Sequence, residues 1–127
     1  MDPTPPIPDW LNTNASGGVI PVSRFFELAT DDYCIAPNLE PHPTLDAFRI
    51  AIDAWTQDGA RVFCEVADVD DGAALVDALL IATTKPLDAF AEFATKFGAD
   101  GVQPANRKFK SEAKRKGLPN AWRIPWD

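Results

Sequence analysis

The chain has 127 residues, with 12 Lys and Arg against 19 Asp and Glu, a formal net charge of −7. That length suits one domain, which at this size buries roughly two thirds of its unfolded surface and needs no metal or disulfide staple. Hydrophobic residues make up 46% and charged residues 24%, values that exclude wholesale disorder.

The opening, Met1-Asp2-Pro3-Thr4-Pro5-Pro6-Ile7-Pro8, has neither a basic nor an apolar leader region, so no secretory signal is expected. The longest apolar run, near Ala73–Ala82, is interrupted by Asp77 and is shorter than the roughly 20 residues of a membrane span. Cys34 and Cys64 stand 30 apart without CxxC spacing, and two reduced thiols in a cytoplasmic protein are expected. The Asn14-Ala15-Ser16 sequon then has no meaning.

Residues 1–17 form a proline-rich extension in front of a single domain over residues 18–127. Proline fixes φ and removes a donor, so Pro3–Pro8 should be extended; it reads as a tail packed through Ile7 and Trp10, or as a PxxP docking peptide. Val19–Val22 reads as an edge strand, because Pro21 cannot occupy a central one. Ser23 can cap a short helix over Arg24–Thr30. Tyr33–Ala36 is a short strand candidate, followed by a loop through Pro37, Pro41, His42 and Pro43.

The clearest helix runs from Thr44, its N-cap, to about Gln57. Leu45, Phe48, Ile52 and Trp55 fall within about 80° of one another at 100° per residue. Asp58-Gly59 stops it. Ile50 projects on the other side, with Asp46 and Asp53, and must be either covered by another element or exposed.

Arg61–Ala67 is the best strand and is expected at the centre of the sheet. Val62, Cys64 and Val66 share one face, while Arg61, Phe63 and Glu65 make the other mixed and half-exposed. Asp68, Asp70 and Asp71 then open a segment, Gly72–Thr83, that is apolar nearly all round. It reads as a buried central helix capped by Asp70 or Asp71, with a buried strand over Ala78–Thr83 as the alternative.

Pro86 starts the strongest amphipathic helix. Leu87, Phe90, Ala91, Phe93, Ala94 and Phe97 lie on one side, and Gly98 ends it. Asn106 caps a last helix, Arg107–Lys116, whose only apolar positions are Phe109 and Ala113; that narrow stripe suits a helix lying on a surface. Leu118-Pro119 and Ile124-Pro125 force an extended end carrying Trp122 and Trp126. The expected fold is α+β: three to five helices on a small sheet of two to four strands. The expected core is Phe48, Ile52, Trp55, Val62, Cys64, Val66, Leu75, Leu79, Phe90, Phe93 and Phe97.

Motifs for chemistry are sparse. A Cys34–His42 nucleophile and base pair is conceivable, with Asp31 and Asp32 just upstream, but no motif places a second base, and a half-buried cysteine beside a surface histidine is the stronger expectation. Asp68, Asp70 and Asp71 resemble the start of a calcium loop, yet the fifth, sixth and twelfth positions are Gly72, Ala73 and Leu79, so the pattern fails. Neither phosphate-binding glycine motif is present. No catalytic residue, metal or cofactor is assigned.

Charge is the informative feature. Residues 1–104 carry five basic against 17 acidic side chains, a net −12; residues 105–127 carry seven against two, a net +5. The leading expectation is a non-enzymatic module whose acids, Asp31, Asp32, Asp46, Asp53, Asp68, Asp70 and Asp71, cap a basic protein such as a toxin or nuclease, as an inhibitor or immunity protein would. The alternative is a nucleic-acid-associated protein using Arg107, Lys108, Lys110, Lys114, Arg115 and Lys116, with Trp122 and Trp126 available to stack. Favoured over it is a basic segment that folds across the acidic body, anchored by both tryptophans. A small enzyme using Cys34 and His42, or the Asp68–Asp71 carboxylates, is the third reading.

Overall fold

In a computed structural model, which describes residues 19–29, 31–37, 39, 41–70 and 73–126, five strands form one antiparallel sheet. The proline-rich stretch 1–17 lies outside the described residues. The elements run β1 (Val19–Pro21), α1 (Val22–Leu28), α2 (Leu45–Gln57), β2 (Arg61–Asp70), β3 (Ala73–Thr83), α3 (Asp88–Lys96), β4 (Gln103–Pro104), α4 (Arg107–Arg115) and β5 (Asn120–Pro125). The strand order is β1-β2-β3-β5-β4. The fold is a small α+β domain, with one strand more than the expected upper limit.

The central strand is β3, not β2, and the segment expected to be a helix is that strand. As a helix, an apolar surface nearly all round would need cover on every side. As a strand it pairs with β2 on one edge and β5 on the other, which satisfies its backbone and leaves two apolar faces for packing. Asp70 pairs with Ala73, so only Asp71-Gly72 connects the two strands. Asp-Gly between apolar runs is a hairpin signal that outweighs the helical capping read into the same acids.

The pleat divides β2, β3 and β5 between two apolar clusters. Val62, Cys64, Leu79, Ile81 and Ile124 pack with Phe48 and Ile52 of α2 and with Phe90, Phe93 and Ala94 of α3. Phe63, Leu80, Ala82 and Ala121 pack with Phe109 and Ala113 of α4. Helices therefore cover both faces; on the face expected to be mixed, Phe63 is buried under α4, Glu65 is half-buried and Arg61 is exposed. One irregularity shifts the pattern: Glu65 pairs with Ala78 but Val66 with Val76, so Asp77 is extra on β3, and Ala67 is extra on β2 before Asp68 pairs with Leu75. This double bulge turns Val76 to the same side as Leu79.

Local chemistry set most helix ends as expected. The Thr44 and Asn106 side chains accept from the backbone N–H groups of Ala47 and Phe109, at 3.1 and 2.8 Å. Gly59, Gly98 and Gly117 all take positive φ. Each follows a helix in a Schellman arrangement: Ala60, Ala99 and Leu118 donate to the carbonyls of Trp55, Ala94 and Ala113.

Two local expectations failed. Helix α1 starts at Val22, with Pro21 at its N-cap, rather than after Ser23. Tyr33–Ala36 is not a strand. The Asp31 carboxylate accepts from Tyr33 N–H and nucleates a 3-10 turn over Asp32–Cys34, leaving a single parallel bridge between Ile35 and Val76. The expected core is buried or half-buried throughout, with Trp55 and Leu75 half-buried. Ala91, at the rim of the α3 stripe, is exposed.

Phe90 is fully enclosed and meets Trp55 edge-to-face, with ring centroids 5.1 Å apart. Replacing it with alanine should cost about 3–5 kcal/mol. A urea titration that left the unfolding midpoint of Phe90→Ala unmoved would contradict this packing.

Candidate functional site

The acidic residues singled out in the sequence play different structural parts. Asp31 is exposed and caps the 3-10 turn. Asp32 is half-buried, and its carboxylate accepts from Leu45 N–H at 2.8 Å, fastening that turn to the start of α2. Asp46 and Asp53 stand on the outer face of α2, both exposed, with Asp46 held at 3.0 Å by Arg49. Asp68 and Asp70 belong to β2, with side chains outside the description, and Asp71 lies outside the described residues. Asp70 ends β2 and the next described element is the strand β3, so no helix begins there for it to cap.

Ile50 joins Asp46 and Asp53. Its side chain is 71% exposed, whereas Phe48 and Ile52 on the opposite side of α2 are buried. Asp46, Asp53 and Gln57 fall within about 60° of it at 100° per residue. Arg49, paired with Asp46, also lies over the Phe26 ring, 4.7 Å from its centroid. The outer face of α2 thus presents one aliphatic side chain between two carboxylates. Helical periodicity alone had placed these residues together; burial decided that nothing else in the described chain covers Ile50.

The conceivable cysteine–histidine pair reads differently in three dimensions. Both ring nitrogens of His42 face carbonyl oxygens, that of Ile35 at 2.7 Å and that of Pro43. Both nitrogens are thus turned to carbonyls of the loop itself, whichever of the two carries the proton. The ring also packs on Tyr33 at 4.4 Å, so His42 locks the loop between the 3-10 turn and α2. Cys34 and Cys64 are both buried, and neither is in a disulfide. Burial pushes the Cys64 thiol far above its ordinary range. Among the described residues, no three His, Cys, Asp or Glu side chains are grouped to hold a metal.

The basic segment is anchored as its tryptophans suggested. Trp126 is buried, packs edge-to-face on Phe48 and Phe93, and donates its indole N–H to Phe97 O at 2.9 Å. Trp122 is half-buried and donates to Lys85 O at 3.0 Å. Neither indole is presented for stacking on bases. Arg123 makes a bidentate pair with Glu65, at 2.8 and 2.9 Å, reaching from β5 to β2 across the intervening strand. Ala78, opposite Glu65 on β3, is small enough to let the two side chains meet.

Helix α4 keeps its other charges outside. Arg107, Lys108, Lys110, Lys114, Arg115 and Lys116 are all exposed, while Phe109 and Ala113 are buried against the sheet. Glu112 pairs with Arg115 one turn away. The cations therefore do not lie in the sheet-facing seam; they face solvent on the side of the sheet opposite α2 and α3.

A cleft of about 220 Å³ between Trp55, Asp58, Lys85 and Phe90 is smaller than the usual ligand pocket. A wider one of about 400 Å³ lies where α1 follows β1, lined by Val22, Thr56, Arg61 and Phe63 among others. No helix among the described residues is long and apolar enough to cross a membrane.

A family model described as "Uncharacterized protein YfbO family" matches residues 10–124. The chain belongs to that family. No curated protein and no solved structure matches it significantly. The family match covers every described element from β1 through α4 and reaches into β5, so the α2 face, the His42 lock and the basic helix all lie within it.

The Cys64 thiol gives a measurable pH dependence. Its pKa is raised in the folded state, so above about pH 9 the unfolded chain releases a proton that the folded chain retains. Stability is therefore present at lower pH and falls as pH rises, by up to about 1.4 kcal/mol per pH unit from this group. Urea titrations between pH 8 and 10.5 should show a steeper loss for the native protein than for Cys64→Ala. Parallel curves would contradict a protonated buried thiol.

Proposed function

We propose that the protein is a non-catalytic binding module that engages a basic protein partner through the outer face of α2. The observation that carries this reading is Ile50, exposed between Asp46 and Asp53 on a helix whose other face is locked in the core. A protein interface commonly combines an apolar anchor with a charged rim. The anchor supplies desolvation energy, and the rim selects the partner and speeds encounter. A rigid helix capped at both ends holds the three side chains without an ordering cost on binding.

A partner with complementary charge would be cationic at its contact, such as the nucleic-acid-binding surface of a nuclease or toxin. Capping such a surface is inhibition of the immunity or antitoxin type. Asp31 extends the same chemistry if its exposed carboxylate borders the contact. Two buried cysteines outside any disulfide fit a reducing compartment such as the cytoplasm.

Affinity capture with the native protein, Ile50→Arg and Asp53→Lys tests the reading. A basic protein should be retained by the native form and its affinity reduced roughly 30-fold by Ile50→Arg, a hot-spot-sized loss of about 2 kcal/mol. Its association rate should fall as salt rises from 20 to 200 mM. Undiminished capture by both variants would overturn the assignment to α2.

A further inference from the structure

The strongest charged patch in the described structure lies on the other side of the sheet. Arg107, Lys110 and Lys114 form a row on α4 at spacings of three and four residues, within about 60° of one another and about 10 Å long. All three are exposed, and none forms a salt bridge among the described residues. Lys108 and Arg115 lie to one side of the row, Arg115 paired with Glu112, and the neutral Ser111 stands between.

We propose that this row docks on the phosphate backbone of a nucleic-acid duplex without reading its sequence. The outward arc is cationic and has no apolar side chain. A protein partner would want an apolar centre, whereas a polyanion binds through counterion release alone. The apolar residues of α4, Phe109 and Ala113, are already buried in the sheet, so the helix has nothing to insert into a lipid layer. Trp122 and Trp126 have their indole N–H groups engaged and their rings packed inward, so stacking on splayed single-stranded bases is not supplied. Both ends of α4 are fixed, by the Asn106 side chain and by the turn at Gly117, so the row is held ready.

The net −7 of the chain does not veto this contact. The acids of α2 and α3 lie on the opposite face of the sheet, and two helix layers across a sheet stand about 20 Å apart. That exceeds the roughly 8 Å screening length at physiological ionic strength. The surface is separate from the α2 face, so this proposal and the protein-partner reading fail independently.

The test is fluorescence anisotropy of the full chain with two labelled 20-base-pair DNA duplexes of unrelated sequence. Both should bind at 50 mM salt with similar affinity. With the three cations of the row neutralising three phosphates, log K should fall against log salt with a slope of about −2.7, or about 40-fold from 50 to 200 mM. Lys110→Gln with Lys114→Gln should make the slope shallower by about 2. The double exchange to Glu should weaken binding at least tenfold at 50 mM, with an unchanged circular dichroism spectrum. No binding at 100 μM protein and 50 mM salt would overturn the proposal, as would a slope insensitive to the Gln pair. Displacement of the duplex by poly-glutamate at a lower charge concentration than unlabelled duplex requires would overturn it in favour of an acidic protein partner.

Discussion

Everything in this fold follows from covering β3 on both faces. Residues 76–83 are buried without exception apart from Asp77, and the pleat sends Leu79 and Ile81 one way and Ala78, Leu80 and Ala82 the other. A strand of that kind cannot stand at an edge or face water. It takes β2 and β5 as partners, and the sheet so formed requires a helix layer on each side. Helices α2 and α3 bring phenylalanines and Trp55 to one face; α4 brings the smaller Phe109 and Ala113 pair to the other.

That layering also arranges the charge. The basic segment is bound to the domain by its apolar side chains and by the Arg123–Glu65 pair, not by a general neutralisation of the acidic body. Its apolar stripe is only two residues wide, so burying it leaves almost the whole circumference of α4 for lysine and arginine. On the far side, α2 buries a wide stripe and leaves Ile50 between its two aspartates. The sheet between them separates two surfaces of opposite character, and the two proposed contacts sit on those surfaces.

Where local physics dominates, the linear chain was easy to read. Thr44 and Asn106 offered side-chain acceptors, Gly59, Gly98 and Gly117 offered left-handed stops, and the phenylalanine spacing of α3 could only be a helix. Asp31 and Asp32 were harder. Their carboxylates satisfy backbone donors of their own turn and of α2, and so they win over the β propensity of Tyr33 and Ile35. The same exchange of roles met His42, whose nitrogens serve the loop rather than Cys34. A polar residue's loyalty to backbone groups thirteen or seven residues away carries no signature in spacing.

The sequence by itself determined the α+β class, three of the helices with their caps, the edge position of Val19–Pro21, and the division into an acidic body and a basic end. These rest on periodicity, caps and charge, which are properties of neighbouring residues. Only the tertiary structure decided that residues 73–83 are a strand and that this strand is central, because an apolar run takes its conformation from the partners that satisfy its backbone. It decided as well that Trp122 and Trp126 face inward while the cations of α4 and the side chain of Ile50 face out. Burial depends on which elements meet across the sheet, and that information is distributed over contacts such as Phe63–Phe109 and Phe48–Trp126, between residues far apart in the chain.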